Sequence, residues 1–597
     1  MFRDNQGHIQ PPLWNDWGSL PEEQRYRLDE SWAGVFYREF FCRLDERPFA
    51  VLYSDEPSRP NIPVNVLVGL EALKAGFGWS DAEMYDAFAF DLQVRYAVGY
   101  RNLSDGYFDL RTVYNFRGRL VAHMAETGEN LLERAFEGIT DEQVRSFQVK
   151  TGKLRMDSTQ IASNIERMSR LQLLVEVLQR VYRMLGEPDK AHYAESFAPY
   201  LKGSSGQYIY RLKGEESTAH LERIGKLMAA CLRDLAVRYR DHPTYQIAKR
   251  VFGEHFTAQG KEIHARAGRE IGASSLRSPD DTDATFRIKG RGKAAKRYSG
   301  YVANVTDTAD PTNPFQLIVA VQSEPNTTED TTMLVEVLPE LKERTGVEVL
   351  YNDSNYCGPQ VDEALREHRV VQVPSQVKGK EKDPEALHLD DFAFSLNSRG
   401  EVVGITCPGG EVVSITCPGG EVVSITCPGG QTVPVEPGEK TGRCLARFGA
   451  ASCAACPFKE RCPTHVRKKD GRRTLKFSEK EADIARRRQR CAAYRQEGKN
   501  PRAAIEATIG ALKRPFPADK LPVRGLSRVG MMVIGSAAMV NVRRIQRYLA
   551  AQVRPIGSER AMGGTKRAKG TAISLLSALL PHHFQPPRWR SLSCQAA

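Results

Sequence analysis

Apolar positions recur at helical spacing through the first 140 residues or so. In VNVLVGLEALKAGFG, Leu67, Leu70, Leu73 and Phe77 fall every three or four residues and predict a helix. Ser80 stands where an N-cap belongs for the next one, DAEMYDAFAFDLQVRYAVG. DLRTVYNFRGRLVAHM and GENLLERAFEGI read as two more. The period then shortens to two. Phe147 and Val149, then Leu154 and Met156, alternate with polar neighbours in SFQVKTGKLRMDST and predict strand. Helical spacing returns from Ile161 to about Arg250, and strand character again in RYSGYVANVTDT, PFQLIVAVQSE and GVEVLYNDS. Between the last two lies a helix, TTMLVEVLPELKERTG, making a strand-helix-strand crossover. Turns and cysteines break this rhythm from 366 to 485, after which PRAAIEATIGALKR and SRVGMMVIGSAAMVNVRRIQRYLAAQ are helical.

These changes of period predict a mixed α/β protein in five stretches. Residues 1–140 form a helical domain, and 141–365 the first part of a sheet-based core with a helical insertion at about 165–280. Residues 366–485 form a strand-rich, cysteine-bearing insertion, 486–550 a helical return to the core, and 551–597 a basic tail. At 597 residues the chain exceeds one ordinary hydrophobic core. Eighty-five Lys and Arg against 73 Asp and Glu leave +12, which suits a polyanionic partner as well as a merely basic soluble protein. MFRDNQGHIQPPLWNDW lacks the apolar segment of a signal peptide, and the longest apolar run, Val529 to Val542, is too short to span a bilayer. Twelve cysteines in such a chain point to reduced thiols or metal ligands. The expectation is a soluble, intracellular protein with no membrane partner.

Three carboxylates carry the candidate chemistry. Asp157 ends the strand KLRMD and Asp353 ends VEVLYND, the strand termini where catalytic groups leave a sheet; turn or N-cap aspartates are the plain alternative. Glu506 follows Arg502 by four residues and precedes Lys513 by seven, offsets that put all three near one helix face. Ile505, Ile509 and Leu512 flank that face, so it is expected to meet the sheet rather than water. Three such carboxylates can hold two Mg²⁺ (or Mn²⁺) ions about 4 Å apart, as phosphoryl transfer uses them.

Around these residues, in RMDSTQIASN, YNDSNYCG and RAAIEATIGALK, the chain resembles a DDE transposase of bacterial insertion sequences. The segment from Val64 to Gly99 and the strand SGYVANV, preceded by Lys289 in FRIKGRG, resemble that family too, so the likeness covers roughly residues 20 to 550. The family's glutamate signature is Tyr, two residues, Arg, three residues, Glu, six residues, Lys. Arg502, Glu506 and Lys513 fit it, and Lys499 stands at the Tyr position. The resemblance implies an RNase H-like core with a helical N-terminal DNA-binding domain. It implies Asp157, Asp353 and Glu506 as catalytic residues and as ligands of two Mg²⁺ (or Mn²⁺), with Lys499, Arg502, Lys513 and Lys289 on DNA. The implied partners are double-stranded DNA, as element ends and target, and a second copy in a homodimer; the implied place is the bacterial cytoplasm, at the nucleoid. Water cuts at the element's end, and the freed 3′-OH attacks target DNA. A nuclease that only cuts, or a silent DNA-binding relic, are the rival readings. Relatives that stack a Trp on a flipped base carry it between the second Asp and the Glu. Here all five Trp lie outside that interval, which leaves Phe392 or Phe394 for the role.

Between Asp353 and Glu506 lies EVVGITCPGG EVVSITCPGG EVVSITCPGG, Glu401 to Gly430, with Cys407, Cys417 and Cys427. Each copy reads as a short strand ending in a turn, and the ten-residue spacing matches no metal-ligand signature. The family pattern has one Cys-Pro-x-Gly, so the third copy suffices and the others read as a tandem expansion. Cys444, Cys453, Cys456 and Cys462 follow within nineteen residues. Four thiolates with a C-x-x-C can make a tetrahedral Zn²⁺ site, and the resemblance implies a zinc-like knuckle here; unliganded thiols are the alternative. From Val466 to Arg495, twelve Lys or Arg face four Asp or Glu, which predicts a DNA-facing surface. RIKGRGKAAKR lacks the strand and helix order of a nucleotide loop and reads as a hairpin near DNA.

Overall fold

The alternating Leu154 and Met156 belong to the middle strand of the main sheet. The computed structural model describes residues 1–8, 15–56, 59–212, 217–260, 262–290, 292, 295–376, 386–396, 402–406, 416–417, 421–422, 425–426, 432–433, 435–437, 443–496, 501–517 and 520–553. The main sheet contains β1 (Lys153–Ala162); β2 (Phe256–Gln259) and β3 (Glu262–Ala265) pair as a separate hairpin. The sheet continues with β4 (Thr285–Lys289), β5 (Lys296–Thr308), β6 (Ile318–Pro325), β7 (Val349–Asn352) and β8 (Val371–Pro374). Its order is β4-β5-β1-β7-β8, with β6 also paired to β5. β4, β5, β6 and β1 are antiparallel neighbours, whereas β1, β7 and β8 run parallel. Both faces are covered, so Leu154, Arg155, Met156 and Asp157 are all buried and strict alternation fails along β1. The strand also starts later than its period suggests. A helix runs to Ser146, Gln148 takes a positive φ of 52°, and Phe147 and Val149 sit in the connecting turn.

Among the described residues seven α-helices precede β1: α1 (Glu22–Asp29), α2 (Trp32–Glu39), α3 (Val64–Phe77), α4 (Asp81–Phe90), α5 (Leu92–Ala97), α6 (Arg111–Thr127) and α7 (Leu131–Ser146). Ser80 caps α4 as predicted, in a reciprocal capping box with Glu83. α3 is buried along nearly its whole length. Its two buried charges are paired: Lys74 with Asp81 at 2.6 Å, and Glu71 with Arg117 of α6 at 2.7 Å, which also reaches Asp81 at 2.7 Å. Burial alone would push the Asp81 carboxyl up, but Arg117 and Lys74 outweigh it and hold it at about 2.

The segment after β1 folds as α8 (Arg170–Met184), α9 (Glu187–Phe197), α10 (Ser205–Tyr210), α11 (Ser217–Asp234), α12 (Ala236–Tyr239) and α13 (Pro243–His255). These helices enclose a core of their own around Leu174, Leu178, Phe197, Ile224 and Val251. α14 (Asp330–Thr345) is the crossover from β6 to β7, and α15 (Pro359–Glu367) connects β7 to β8. The second insertion carries α16 (Ala450–Ala454), α17 (Glu479–Gln496) and a sheet of 435–437, 443–448, 473–478 and 465–466, around Phe392, Ala446, Phe448, Leu475 and Phe477. Strand occurs in every repeat copy: 402–406 pairs with 393–396, 416–417 with 421–422, and 425–426 with 432–433.

The chain returns to the sheet through α18 (Ile505–Lys513) and α19 (Leu526–Val553). α19 packs directly on α3. A Cβ on Gly76 would stand 2.2 Å from Cγ of Met539, and Arg543 donates to the Gly76 carbonyl at 2.6 Å. Residues Met1–Tyr548 form one compact unit; of the second unit, Leu549–Ala597, most lies outside the described residues. Among the described residues no helix is long and apolar enough to cross a membrane.

Candidate active site

β1 and β7 run side by side with Leu154 opposite Leu350 and Arg155 opposite Tyr351. Continuing that register by two residues brings Asp157 beside Asp353, the residue after the end of β7. The parallel pairing thus sets two carboxylates side by side, Asp353 just past the end of β7 and Asp157 in the middle of β1. Asp157 does not end its strand as expected, because pairing with β5 carries β1 on to Ala162. Asp157 is 8% exposed. It accepts from the Ser158 N–H at 3.0 Å and from Arg502 Nη2 at 2.7 Å. Burial pushes its pKa up to about 6; Arg502 pulls it down, while Asp353 and Asp330 add to the rise. Asp353 caps the short turn Ser354–Tyr356, accepting from the Asn355 N–H at 2.6 Å and Nδ2 at 2.9 Å. The turn-aspartate alternative therefore holds for Asp353 alongside its place next to Asp157.

Glu506 arrives from α18. A single guanidinium joins it to the first aspartate: Arg502 donates through Nη1 to Glu506 at 2.8 Å and through Nη2 to Asp157 at 2.7 Å. The face of α18 differs from the expected one. Ile505, Thr508 and Leu512 form the buried stripe, whereas the Glu506 side chain is 66% exposed. Residues three and seven apart define the contact face, and Glu506 lies about 100° round the helix from Ile505. Lys513 donates to Thr159 Oγ1 at 3.2 Å and to the Gln160 carbonyl at 3.0 Å, which pins the end of α18 to β1.

Beneath α18 lies a buried charge cluster with no signature in the sequence. Asp307 on β5 is fully buried and accepts from Arg155 Nε at 2.6 Å and Nη2 at 2.9 Å. It also accepts from Thr508 Oγ1 at 2.7 Å and lies 3.5 Å from Arg544 of α19. Arg544 bonds Thr508 in turn. One carboxylate thus ties β1, α18 and α19 to β5.

A fourth acid belongs to this neighbourhood. Asp330, the first residue of α14, is 5% exposed, and its Oδ1 has no hydrogen-bond partner. It faces the same fully buried Tyr356 as Asp157 and Asp353, and burial followed by these three acids holds the Tyr356 phenol well above its usual range. In the sequence Asp330 is an ordinary helix-start acid. Asp157, Asp353 and Glu506 are hard oxygen donors suited to Mg²⁺ or Mn²⁺. Yet among the described residues no three His, Cys, Asp or Glu side chains lie close enough together to hold a metal ion. In this structure Arg502 occupies the bridging position.

The remaining expected residues divide. Lys289 sits at the exposed end of β4, opposite Lys296 in a hairpin with β5, as the RIKGRG reading predicts. Lys499, Cys407 and Cys427 lie outside the described residues. Cys444, Cys453 and Cys462 pack partly buried against the insertion's small core, and Cys456 is partly exposed. Phe392 is 0% exposed within that core, so it presents no ring for stacking; the side chain of Phe394 is not among those described. The basic run also departs from expectation over α17. Arg487 pairs with Asp362, Arg486 with Asp483, Arg488 lies 3.9 Å from Asp390, and Arg490 donates to the Gln372 carbonyl at 2.9 Å. Arg487 and Arg490 dock α17 on α15 and β8, and acids distant in sequence, Asp362 and Asp390, lie against Arg487 and Arg488. Lys468 and Lys469 remain exposed, on the turn before residues 473–478.

A mixed sheet flanked by helices, with Asp157 on β1 beside Asp353 just past β7, is consistent with an α/β transposase fold. The family model described as "Transposase DDE domain" matches residues 426–546. Over that stretch, which runs from the third repeat copy through Glu506 into α19, the chain is similar to the DDE domain of transposases. Asp157 and Asp353 lie outside the matched stretch. No curated protein matches the chain. No solved structure matches it.

Proposed function

We propose that the protein cuts DNA at the ends of an insertion sequence and joins the freed 3′-OH to target DNA, with Asp157, Asp353 and Glu506 as the catalytic carboxylates. The observation that carries this reading is the meeting of Asp157, in the middle of β1, with Asp353, just past the end of β7, and with Glu506 through Arg502. Two Mg²⁺ (or Mn²⁺) ions, when bound, would activate the attacking oxygen and stabilise the leaving one. The chain's own part is to present three oxygen donors, to hold the scissile phosphate in line, and to give the phosphates cationic partners. Lys289, Lys499 and Lys513 are assigned to DNA. Arg502 is assigned two successive partners: the carboxylates while the site lacks metal, and a phosphate once cations take its place. Asp330 is assigned to the acidic floor beneath Asp157. Two copies of the chain would hold the two ends of the element.

The test uses a DNA fragment carrying the element's own end, with Mg²⁺. Cleavage at the boundary by wild type, lost in Asp157→Asn and in Glu506→Gln with DNA binding retained, is the expected result. Cleavage that survives Asp157→Asn removes that residue from the site. Binding without cutting by wild type favours the relic.

A further inference from the structure

A cavity of about 380 Å³ opens between the start of α8, the end of α13, the loop 268–277 and β4. Its polar lining is cationic or neutral: Arg170, Arg277 and His255 face it, and none of its described lining residues is acidic. His255 is 3% exposed, and neither ring nitrogen has a hydrogen-bond partner. Nε of Arg170 and Nε of Arg277 are likewise buried and unpartnered. Arg170 is aimed by two carbonyls, those of Arg266 at 2.7 Å and His255 at 2.8 Å. Arg277 lies over the Phe286 ring, 4.4 Å from its centroid.

An unmade hydrogen bond in a buried site costs about 1–3 kcal/mol, and here four polar atoms share one cavity. Burial pulls both guanidinium groups below their ordinary range, slightly offset at Arg277 by Glu254. It drops His255 to about 4, with Arg170 and Arg277 adding to the fall, so its ring is neutral at pH 7. A neutral imidazole offers one donor and one acceptor. Leu173, Leu276 and Phe286 supply apolar walls.

We propose that this cavity binds a nucleotide unit, its phosphate on Arg170 and Arg277 and its base against Phe286, with the base edge hydrogen-bonded to His255. The volume suits one nucleotide, falling in the range of small-ligand pockets. The source is a DNA strand rather than a free nucleotide, because Ile288 in the cavity wall adjoins Lys289, and Lys296 and Arg297 are exposed on the paired strand. Those cations form a path along which a phosphate backbone reaches the pocket. The choice of DNA rests on the transposase reading; the nucleotide site itself does not.

The experiment measures binding of the full chain to a 5′-fluorescein-labelled single-stranded DNA 12-mer by anisotropy, and to dAMP by calorimetry. The chains compared are wild type, Arg277→Gln and His255→Phe, each checked for an unchanged far-UV spectrum. Arg277 carries fewer structural hydrogen bonds than Arg170, so its variant keeps the fold. At least a tenfold weakening for the 12-mer in both variants is expected, with binding to a duplex lacking free ends changed less than twofold. Weakening for dAMP alone would keep the nucleotide site and overturn its assignment to DNA. Both variants binding both probes within twofold of wild type, or wild type binding neither, would overturn the proposal. Failure of wild type to cut the element end, with these losses intact, would sink the transposase reading and leave the pocket standing.

Discussion

Replacing Asp307 by Asn tests how the late helix is held over the sheet. The change keeps the shape of the side chain and removes its charge, leaving Arg155 and Arg544 facing a neutral group in a site where Asp307 is 0% exposed. An amide can accept through only one of its two atoms, so at least one of the contacts from Arg155, Thr508 and Arg544 becomes donor against donor. Breaking a buried ion pair by removing one partner costs about 3–5 kcal/mol. At about 1.4 kcal/mol per factor of ten, amide exchange protection in α18 should fall by roughly two to three and a half decades, because α18 opens when Thr508 loses its anchor. Native-state hydrogen exchange with mass-spectrometric readout on peptides covering 505–513 measures this. Thr508→Val serves as the graded control: it deletes two hydrogen bonds, one to Asp307 and one from Arg544, costs about 1–3 kcal/mol, and leaves both guanidinium groups beside Asp307. Glu506 lies two residues before Thr508 on the same helix, so cleavage should drop with protection while DNA binding persists. Protection of 505–513 within threefold of wild type in Asp307→Asn would refute the claim that this carboxylate fastens α18.

Arg502→Gln should tighten Mn²⁺ binding to the DNA-free chain, read by electron paramagnetic resonance, because the guanidinium no longer competes for Asp157 and Glu506; unchanged or weaker binding would end the two-partner role of Arg502. The packing of α7 against α14 predicts a pH effect. Burial, reinforced by Glu340, raises Glu133 to about 7, and burial outweighs Arg344 to raise Glu137 to about 8. Between their ordinary range and these values the folded chain holds more protons than the unfolded one, so stability falls as pH rises from about 4.5 to 8. Glu133→Gln should flatten that fall in thermal unfolding, and an unaltered slope would count against it. Deleting residues 401–420, the first two repeat copies, should leave cleavage intact, since the match to the transposase DDE domain begins at residue 426; loss of cleavage in a folded deletion variant would make those copies structural.

What could be read in the sequence was local, and what could not was set by partners distant along the chain. The helical period of α3, the N-cap at Ser80, the crossover through α14 and the aspartate after β7 each rest on neighbours within a turn or a strand, whereas Asp157 lies mid-strand because pairing with the distant β5 carries β1 on to Ala162. The exposed face of Glu506 was misjudged because Ile505, Ile509 and Leu512 encircle it in sequence, while burial is decided by Thr508 meeting Asp307. The arginines at 486–490 looked free for DNA for the same reason: Asp362, which takes Arg487, lies more than a hundred residues upstream. Asp330 and the pocket around His255 left no local pattern at all. Arg502 joins the two kinds of information. Its spacing from Glu506 is legible as an ordinary i,i+4 pair, yet its second partner, Asp157, lies 345 residues away. Only that long-range bond turns a solvated ion pair into a bridge between two elements of the site. On the proposed function, a residue with both attachments would have to release at least one before a cation could sit between the two carboxylates, which would couple metal entry to the docking of α18 through a single side chain.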